Sequence, residues 1–276
     1  MSEAATRAPG PPGTEALTVS VVMPTKNRAQ FLVAAVRALL AQTVMPDEFV
    51  IVDQSDDDVL AEPTVLERLL AHYRLAPEYA ALAPVITNYP APNVARRLYR
   101  EIFCLGPFRD ERQPVYWFWR EYPTPARIPV RMFTGAMMSF RRSALEGLRH
   151  DARYKGASVG EDIDLCWTLW RRGARLAIVT DAHIVHNRAP RPASRPEAAQ
   201  IASWGFLYQK HLPRTLATRA AFAWYVVGVL IGAVVSAAAE CSLQPLRSAA
   251  AGVRAVWTDY AGTTFLQPSV SERPAS

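Results

Sequence analysis

The sequence predicts an α/β fold built around a parallel sheet, with an apolar helix towards the C-terminus. A β-branched run at Thr18–Met23, helical spacing over Gln30–Gln42 and a second apolar run at Phe49–Val52 together have the form of a β-α-β unit. A second stretch, Phe133–His186, combines strand-like and helical segments. The uncharged stretch Ala220–Ala239 is long enough for a helix that crosses a bilayer.

Composition fits one globular domain with an appendage and narrows the choice of partners. The chain has 276 residues, of which 50% are hydrophobic, and a net charge of +6. Its basic residues are dispersed, so nucleic acid is not favoured, whereas anionic lipid head groups and phosphorylated substrates both fit. The three cysteines are far apart and form no C-x-x-C pair, which argues against disulfides and structural zinc and favours a reducing cytoplasm. Residues 1–16 lack an apolar signal segment and are predicted to be a disordered tail.

In the N-terminal unit, polar residues follow each predicted strand. The turn Pro24–Arg28 comes after the first strand, and Asp53 ends the second. Parallel strands bring their carboxyl ends to one edge of the sheet, where open α/β proteins bind ligands. No G-x-G-x-x-G sequence is present, so the ordinary dinucleotide fingerprint is absent.

An acidic run follows the second strand. Asp53, Asp56, Asp57 and Asp58 place four carboxylates within six residues, and such a cluster suits a hard divalent cation such as Mg²⁺ or Mn²⁺. The alternative is a solvated loop that caps the next helix. That helix is predicted to begin with a capping box at Thr64–Glu67.

The middle of the chain contains one more predicted strand, one amphipathic helix and an aromatic run. Ala83–Asn88 is strand-like, and Asn93–Phe108 has apolar residues at helical spacing. The aromatic run Tyr116–Trp119 could stack on a sugar, meet a membrane surface or pack into the core.

The second stretch is predicted to contain a strand, two helices and a closing β-rich segment. The strand covers Met132–Phe140 and the first helix Arg142–Leu148. The second helix begins at the corner Gly160-Glu161-Asp162 and ends at Gly173, which has the position of a C′ glycine. Leu176–Thr180 and Ile184–His186 are β-rich.

Asp162 is the candidate general base of this stretch. It lies in the first turn of its helix, where the helix dipole favours an ionised carboxylate, and a charged carboxylate at a loop mouth can accept a proton. The alternative is that Glu161 and Asp162 only cap the helix.

Two later segments could contact phosphates or lipid. The Arg- and Pro-rich run Asn187–Pro196 could bind a diphosphate or lipid phosphates, or could be a solvated loop. The apolar stretch Ala220–Ala239 is predicted to contact a membrane, with an in-plane helix and a buried core helix as alternatives. Basic residues flank it on both sides, so charge gives no orientation.

Two separate segments resemble one family, the family 2 glycosyltransferases. Val19–Asp53, with VSVVMPTKNR…FVIVDQS, resembles the opening of that family, and Phe133–His186, with FTGAMMSFRRSAL, GED and a terminal His, resembles its acceptor half. The resemblance implies a GT-A fold, a mixed Rossmann-like sheet flanked by helices, with a nucleotide-diphosphate-sugar donor, Mg²⁺ or Mn²⁺, and an inverting displacement.

The resemblance also implies roles for individual residues. Asp162 matches the base of the family's ED motif, with Glu161 beside it, and His186 matches a histidine near the diphosphate or metal. Asp56 and Asp58 match the D-x-D metal motif. The implied donor-binding residues are Pro24, Thr25, Asn27, Arg28 and Asp53.

The sequence departs from the family between the second strand and the D-x-D motif. Family members have further strands and a helix there, whereas here VDQS runs directly into DDDV. We interpret this as an internal deletion that leaves a reduced sheet. No Q-x-x-R-W motif follows the base, which favours a single-addition transferase over a processive synthase.

These observations predict a glycosyltransferase domain over residues 17–212 and a membrane-associated region over 213–276. The expected acceptor is a lipid-linked or cell-envelope glycan at the cytoplasmic face of the membrane, and no nucleic-acid partner is expected. The alternative is an inactive relative that binds a nucleotide or acts as a membrane-anchored interaction protein.

Overall fold

The computed structural model describes residues 17–25, 29–53, 58–149, 151, 160–187 and 196–258. The strands are β1 (Ser20–Thr25), β2 (Glu48–Asp53), β3 (Val59–Ala61), β4 (Tyr79–Ile86), β5 (Arg127–Pro129), β6 (Ser139–Phe140) and β7 (Arg175–His186). The helices are α1 (Ala29–Leu40), α2 (Val65–Leu75), α3 (Val94–Phe103), α4 (Arg112–Trp117), α5 (Arg142–Leu145), α6 (Glu161–Arg171), α7 (Pro196–His211), α8 (Leu216–Ala239) and α9 (Gln244–Thr258). Short 3₁₀ helices cover Gly106–Phe108 and Trp119–Glu121.

The main sheet is mixed. Its strand order is β3-β7-β4-β6, and β5 also pairs with β7. β4 runs parallel to β7, whereas β3, β5 and β6 are antiparallel to their partners. Helices flank this curled sheet, so the predicted α/β class with a mixed, helix-flanked sheet is confirmed.

The predicted β-α-β unit forms, but its sheet is separate. β1 and β2 pair in parallel, from Ser20 opposite Glu48 to Thr25 opposite Asp53. Within the described residues, this two-stranded sheet does not join the main one. α1 packs Ala35 and Leu39 against Met23 of β1 in a small core of its own.

The two predicted strands before His186 are one strand with an irregularity. In β7 the register shifts between the pairs Pro84–Val179 and Val85–His183. The extra residues between Val179 and His183 explain why the apolar pattern is interrupted there.

The strand predicted over Met132–Phe140 is wrong except at Ser139 and Phe140. Backbone groups of this segment form hydrogen bonds with side chains instead of pairing with a neighbouring strand. Phe133 O accepts from the Arg112 guanidinium, and Gly135 N–H donates to Asp162.

Other boundaries also differ. The capping box at Thr64 is wrong, because Thr64 makes no side-chain cap and Glu67 accepts from the Thr43 hydroxyl. α3 begins after Asn93, whose side chain caps it, but ends at Phe103 instead of Phe108. α5 ends at Leu145 instead of Leu148.

The end of α6 is as predicted. Gly173 has φ +85°, its N–H donates to Trp170 O, and Ala174 N–H donates to Leu169 O. This pair of hydrogen bonds is a Schellman motif.

The C-terminal helices share a second apolar core with the domain. It joins side chains of the 3₁₀ helix at Phe108, of α7, of α8 and of α9: Phe108, Ile201, Tyr208, Tyr225, Val229, Ala233 and Ala249. Among the described residues, α8 is the one helix that is long and apolar enough to cross a membrane, and 22% of its most apolar window is buried.

Candidate active site

The first turn of α6 is fixed by a close approach of α7. Gly160 precedes the helix with φ +100°, a conformation that glycine adopts at little cost. A Cβ at this position would overlap Ser203 Oγ of α7. Glycine is therefore required here both for the backbone turn and for the helix contact.

The Asp162 carboxylate is held by groups outside its own helix. Its Oδ2 accepts from Gly135 N–H at 3.0 Å and lies 3.3 Å from Arg112 Nη1. Its Oδ1 accepts from Ile163 N–H at 2.9 Å, so one carboxylate oxygen binds a free N–H group at the start of α6. The side chain is 18% exposed. Asp162 therefore combines helix-end bonding with a fixed position beside the Phe133–Gly135 loop.

Arg112, which sequence reasoning missed, connects α4 to Asp162. Its Nε and Nη2 each donate to Asp110 at 2.9 Å, and its Nη1 donates to Phe133 O. Burial disfavours its charge, but the Asp110 carboxylate more than offsets this and raises the pKa of Arg112 above its usual range. A permanent cation thus lies against the candidate base. The only sequence signal was the local Asp110-Glu111-Arg112 run.

The remaining ED residue, Glu161, is the first residue of α6. Asp164, one turn further on, is buried and bonded to His211 Nε2 at 2.6 Å and to Lys210 Nζ at 2.8 Å. These contacts attach α6 to α7 and leave Asp164 a structural role.

Two predicted metal ligands lie side by side. Asp58 precedes β3, and Val59 pairs with His186 at the end of β7. His186 Nε2 lies 3.1 Å from Asp58 Oδ1, and the two side chains are 9% and 4% exposed. Asn88 fixes the histidine backbone, because its side chain bonds both the N–H and the C=O of His186.

The donor set of this pair suits a divalent cation. It offers one carboxylate and one imidazole, and His186 Nδ1 is buried without a hydrogen-bond partner among the described residues. Within the described part of the chain, no group of three or more His, Cys, Asp or Glu side chains is placed so that it could hold a metal ion. A cation held here would accordingly keep waters or phosphate oxygens as further ligands.

The predicted donor-binding residues are only partly described. The backbones of Thr25 and Asp53 are register partners at the carboxyl end of the small sheet, next to Pro24. Asn27, Arg28 and Asp56 lie outside the described residues, as does most of the Arg- and Pro-rich run after Asn187.

The aromatic run divides its side chains between core and surface. Tyr116 is buried, and Arg96 and Arg97 lie over the rings of Trp117 and Phe118, each 5.6 Å from the ring centroid. Trp119 lies against His183 at 4.8 Å between centroids. Packing against neighbouring side chains therefore accounts for the run.

A cavity of about 870 Å³ is lined by neighbours of the two groups, although not by Asp58, His186 or Asp162 themselves. Its wall includes Val59, which follows Asp58, and Gly135, whose N–H binds Asp162. The opposite wall is the edge of β1, from Val19 to Met23. The cavity therefore lies between the small sheet and the main sheet.

A short series of packed side chains also links the two parts. Tyr89 follows Asn88, which holds His186, and its ring packs on Tyr116 with 5.3 Å between centroids. Tyr116 lies one turn after Arg112 in α4, and Arg112 contacts Asp162. These contacts connect Asn88, next to Tyr89, with Arg112 through the buried Tyr116 side chain.

Comparison with protein families identifies the family of the chain. Residues 51–263, more than half of the chain, match the model of glycosyl transferase family group 2, and residues 20–62 match glycosyl transferase family 2. The chain therefore belongs to the family 2 glycosyltransferases, as the resemblance of its motifs predicted. It is thus a sugar-transferring enzyme by family. The two matches overlap at residues 51–62, the acidic stretch. No curated protein matches the sequence.

Proposed function

We propose that the protein transfers a sugar from a nucleotide-diphosphate-sugar donor to a hydroxyl group of a lipid-linked or cell-envelope glycan, with Asp162 as general base. The observation that carries this proposal is the position of Asp162, which is partly exposed and fixed by Gly135 N–H and Arg112. A carboxylate that only capped α6 would not need these partners from two other segments.

In the proposed reaction, Asp162 accepts the proton of the acceptor hydroxyl as that oxygen attacks the anomeric carbon. The bond from the anomeric carbon to the diphosphate oxygen breaks on the opposite side, and the nucleoside diphosphate leaves. Inversion follows from this single displacement. Arg112 holds Asp162 in position, and the same guanidinium is fixed by its two hydrogen bonds to Asp110.

Asp58 and His186, with Asp56, are the residues that would hold Mg²⁺ or Mn²⁺. A bound cation would neutralise charge that develops on the departing diphosphate. Pro24, Thr25, Asn27, Arg28 and Asp53 are proposed to bind the donor, and Glu161 to support the base. The cavity between the two sheets is a space in which donor and acceptor could meet.

The membrane part of the proposal rests on α8, whose mean hydropathy of 2.1 over its most apolar window fits a membrane environment. We propose that residues 213–276 hold the enzyme at the cytoplasmic face, close to a lipid-linked acceptor. The transferase domain would then comprise residues 17–212.

The test is the substitution Asp162→Asn, assayed with UDP-, GDP- and dTDP-sugars and lipid-extract acceptors. We expect kcat to fall by about 10²- to 10⁴-fold, the usual contribution of a general base. The Kd of the nucleotide in Mn²⁺, measured by calorimetry, should stay within about twofold, because the base acts on the acceptor. Thermal unfolding serves as the control for folding, and an unchanged kcat in a folded variant would remove Asp162 from this role.

A second candidate function is that of an inactive relative that binds a nucleotide or a protein partner. The separate β1–β2 sheet favours it, because the proposed donor-binding residues belong to a sheet that does not pair with the main sheet among the described residues. Calorimetry of the wild-type protein with each nucleoside diphosphate, with and without Mn²⁺, shows whether the donor part binds, and a sugar-transfer assay with the same donors distinguishes the two functions. Binding that requires Mn²⁺ together with transfer supports the transferase, whereas binding without transfer from any donor supports the relative.

A further inference from the structure

α3 presents an apolar stripe that no other part of the described chain covers. Val94, Leu98 and Ile102 recur every four residues and are 71%, 56% and 49% exposed. α3 has no buried residue. Its basic side is anchored elsewhere, since Arg96 and Arg100 lie over the Trp117 ring. A stripe of this length on a surface helix is a candidate interaction face.

α8 has an exposed apolar stripe of its own. Its inner side packs into the second core through Tyr225, Val229 and Ala233. Its outer side carries apolar residues that are 38% to 85% exposed, within an arc of about 100° at helical spacing: Leu216, Trp224, Val227, Ile231, Val234 and Val235. One side of α8 therefore packs against the protein, and the opposite side is exposed.

The two stripes meet where α3 ends. Trp224 Nε1 donates to Ile102 O at 2.7 Å, and both side chains are exposed. The ring of Phe103 lies 5.4 Å from the Trp224 ring, and a Cβ on Gly228 would overlap Phe103. α3 and α8 thus form one continuous apolar surface.

These contacts are incompatible with a helix that crosses the bilayer alone. Gly228 lies near the middle of α8, and α3 packs there with Arg96, Arg97, Arg100 and Glu101 in its ten residues. If α8 crossed the membrane, its midpoint would lie at the bilayer centre. The charged residues of α3 would then lie in the hydrocarbon core, which costs much free energy. If α8 lies in the plane of the membrane, the charges remain at head-group level.

We infer that α3 and α8 together dock flat on an anionic lipid bilayer, with Val94, Leu98 and Ile102 inserted beside the outer stripe of α8. Arg97 borders the inserted stripe and is exposed, and its long side chain can reach lipid phosphates, whereas Arg96 lies on the opposite side of α3 over the Trp117 ring. The protein is then monotopic, held by two helices instead of one spanning segment. This inference does not depend on sugar transfer, and its test needs no enzyme assay.

Flotation of the full chain with preformed vesicles measures docking directly. The protein should partition onto vesicles of phosphatidylcholine with 30% phosphatidylglycerol about tenfold or more better than onto phosphatidylcholine alone. The double substitution Leu98→Glu/Ile102→Glu should lower the partition coefficient on the anionic vesicles by at least tenfold.

The matched control is Leu75→Glu, because Leu75 at the end of α2 is 76% exposed and lies outside the surface. It should leave partitioning unchanged. Binding that survives Leu98→Glu/Ile102→Glu at full strength would overturn the role of α3. If this variant instead converts a dimer to a monomer in sedimentation without changing vesicle binding, the surface joins two copies and the inference fails.

Thiol labelling decides whether α8 lies flat. Cys241, just after α8, is exposed, whereas burial raises the pKa of Cys104 to about 11 and of Cys166 to about 12, which keeps both thiols protonated and slow. Ala217→Cys in a Cys241→Ser background places the label at the other end of α8, where residue 217 is exposed. With protein bound to sealed vesicles, an impermeant maleimide should label both ends equally. Protection of one end until detergent is added would show a spanning helix and overturn the proposal.

Discussion

The β1-α1-β2 unit and the five-stranded sheet have hydrophobic cores of different size. Around β4 and β7 a large core encloses fully buried side chains such as Leu82, Ile178 and Trp167. The small unit encloses Met23, Ala35 and Leu39 within its described residues. Its strands leave Val22 and Ile51 61% and 50% exposed. The β1-α1-β2 unit is thus less well packed than the five-stranded sheet.

The separation of the two sheets bears on the internal deletion that the sequence indicated between β2 and β3. β1 pairs with β2 alone among the described residues, and its other edge faces the cavity. The two family matches overlap at residues 51–62, which include the acidic run after β2. We propose that this deletion accounts for the separate sheets, the cavity and the overlap together.

The largest expected effect comes from matched leucine truncations in the two regions. Leu82→Ala in β4 removes a fully buried side chain from the large core, and we expect unfolding free energy to fall by about 3–5 kcal/mol. Leu39→Ala in α1, where the leucine is 6% exposed, should cost about 2 kcal/mol, because few neighbours surround the space left. Both are measured by urea unfolding in one detergent.

Equal losses for Leu82→Ala and Leu39→Ala would contradict the contrast between the two cores. A second outcome would sharpen it. If Leu39→Ala leaves the main transition unchanged but increases amide exchange in β1 and β2, the small unit opens as a separate cooperative element.

The next effect concerns the contact between α6 and α7. Gly160→Ala places a Cβ at positive φ and against Ser203, so we expect a loss of about 2–4 kcal/mol from strain and overlap. Gly173→Ala, also at positive φ but with no atom within 4 Å of the new Cβ, should cost about 1 kcal/mol. Thermal unfolding compares the two.

Adding Ser203→Ala to Gly160→Ala separates the two causes. The double variant should recover part of the loss, because the hydroxyl oxygen is removed while the strained backbone remains. No recovery would show that α7 does not approach Gly160 as closely as the structure indicates.

Much of the fold could be predicted because its signals are local. The β-α-β unit, the end of α6 at Gly173 and the amphipathic α3 follow from β-branched runs, a C′ glycine and helical spacing. The Met132–Phe140 segment was predicted wrongly, since its composition suits a strand but Arg112 and Asp162 bind its backbone. Such side-chain bonds across the fold leave no trace in a local pattern.

The candidate site shows the same limit. Asp58 and His186 were predicted separately and lie side by side, because the β3–β7 register aligns them. Arg112 was missed, since its partner Asp162 is 50 residues away and connected only through the fold. The site-residue assignments as a whole stay predictions until the substitutions above are measured.

The last comparison of unfolding free energies is between Asp110, a largely buried carboxylate, and Glu48, an exposed one. Burial alone would raise the pKa of Asp110, but the Arg112 guanidinium outweighs it and holds that pKa below the usual value. Its stabilising contribution is therefore present above about pH 4, the unfolded value, and is lost as the pH falls through the folded value. Asp110→Asn should cost about 2 kcal/mol at pH 7, and the loss should shrink as the pH falls from about 4 towards the lowered pKa of the folded protein.

Glu48→Gln is the matched change in the small unit. Glu48 accepts from the Ser20 hydroxyl at 2.6 Å on an exposed edge, and surface substitutions of this kind change stability by less than about 0.5 kcal/mol. Urea unfolding at pH 7 and pH 3 should thus show a pH-dependent loss for Asp110→Asn and almost none for Glu48→Gln. An Asp110→Asn loss of the same size at both pH values would mean that folding does not lower the pKa of Asp110. The pairing of Asp110 with Arg112 would then contribute no pH-dependent stability.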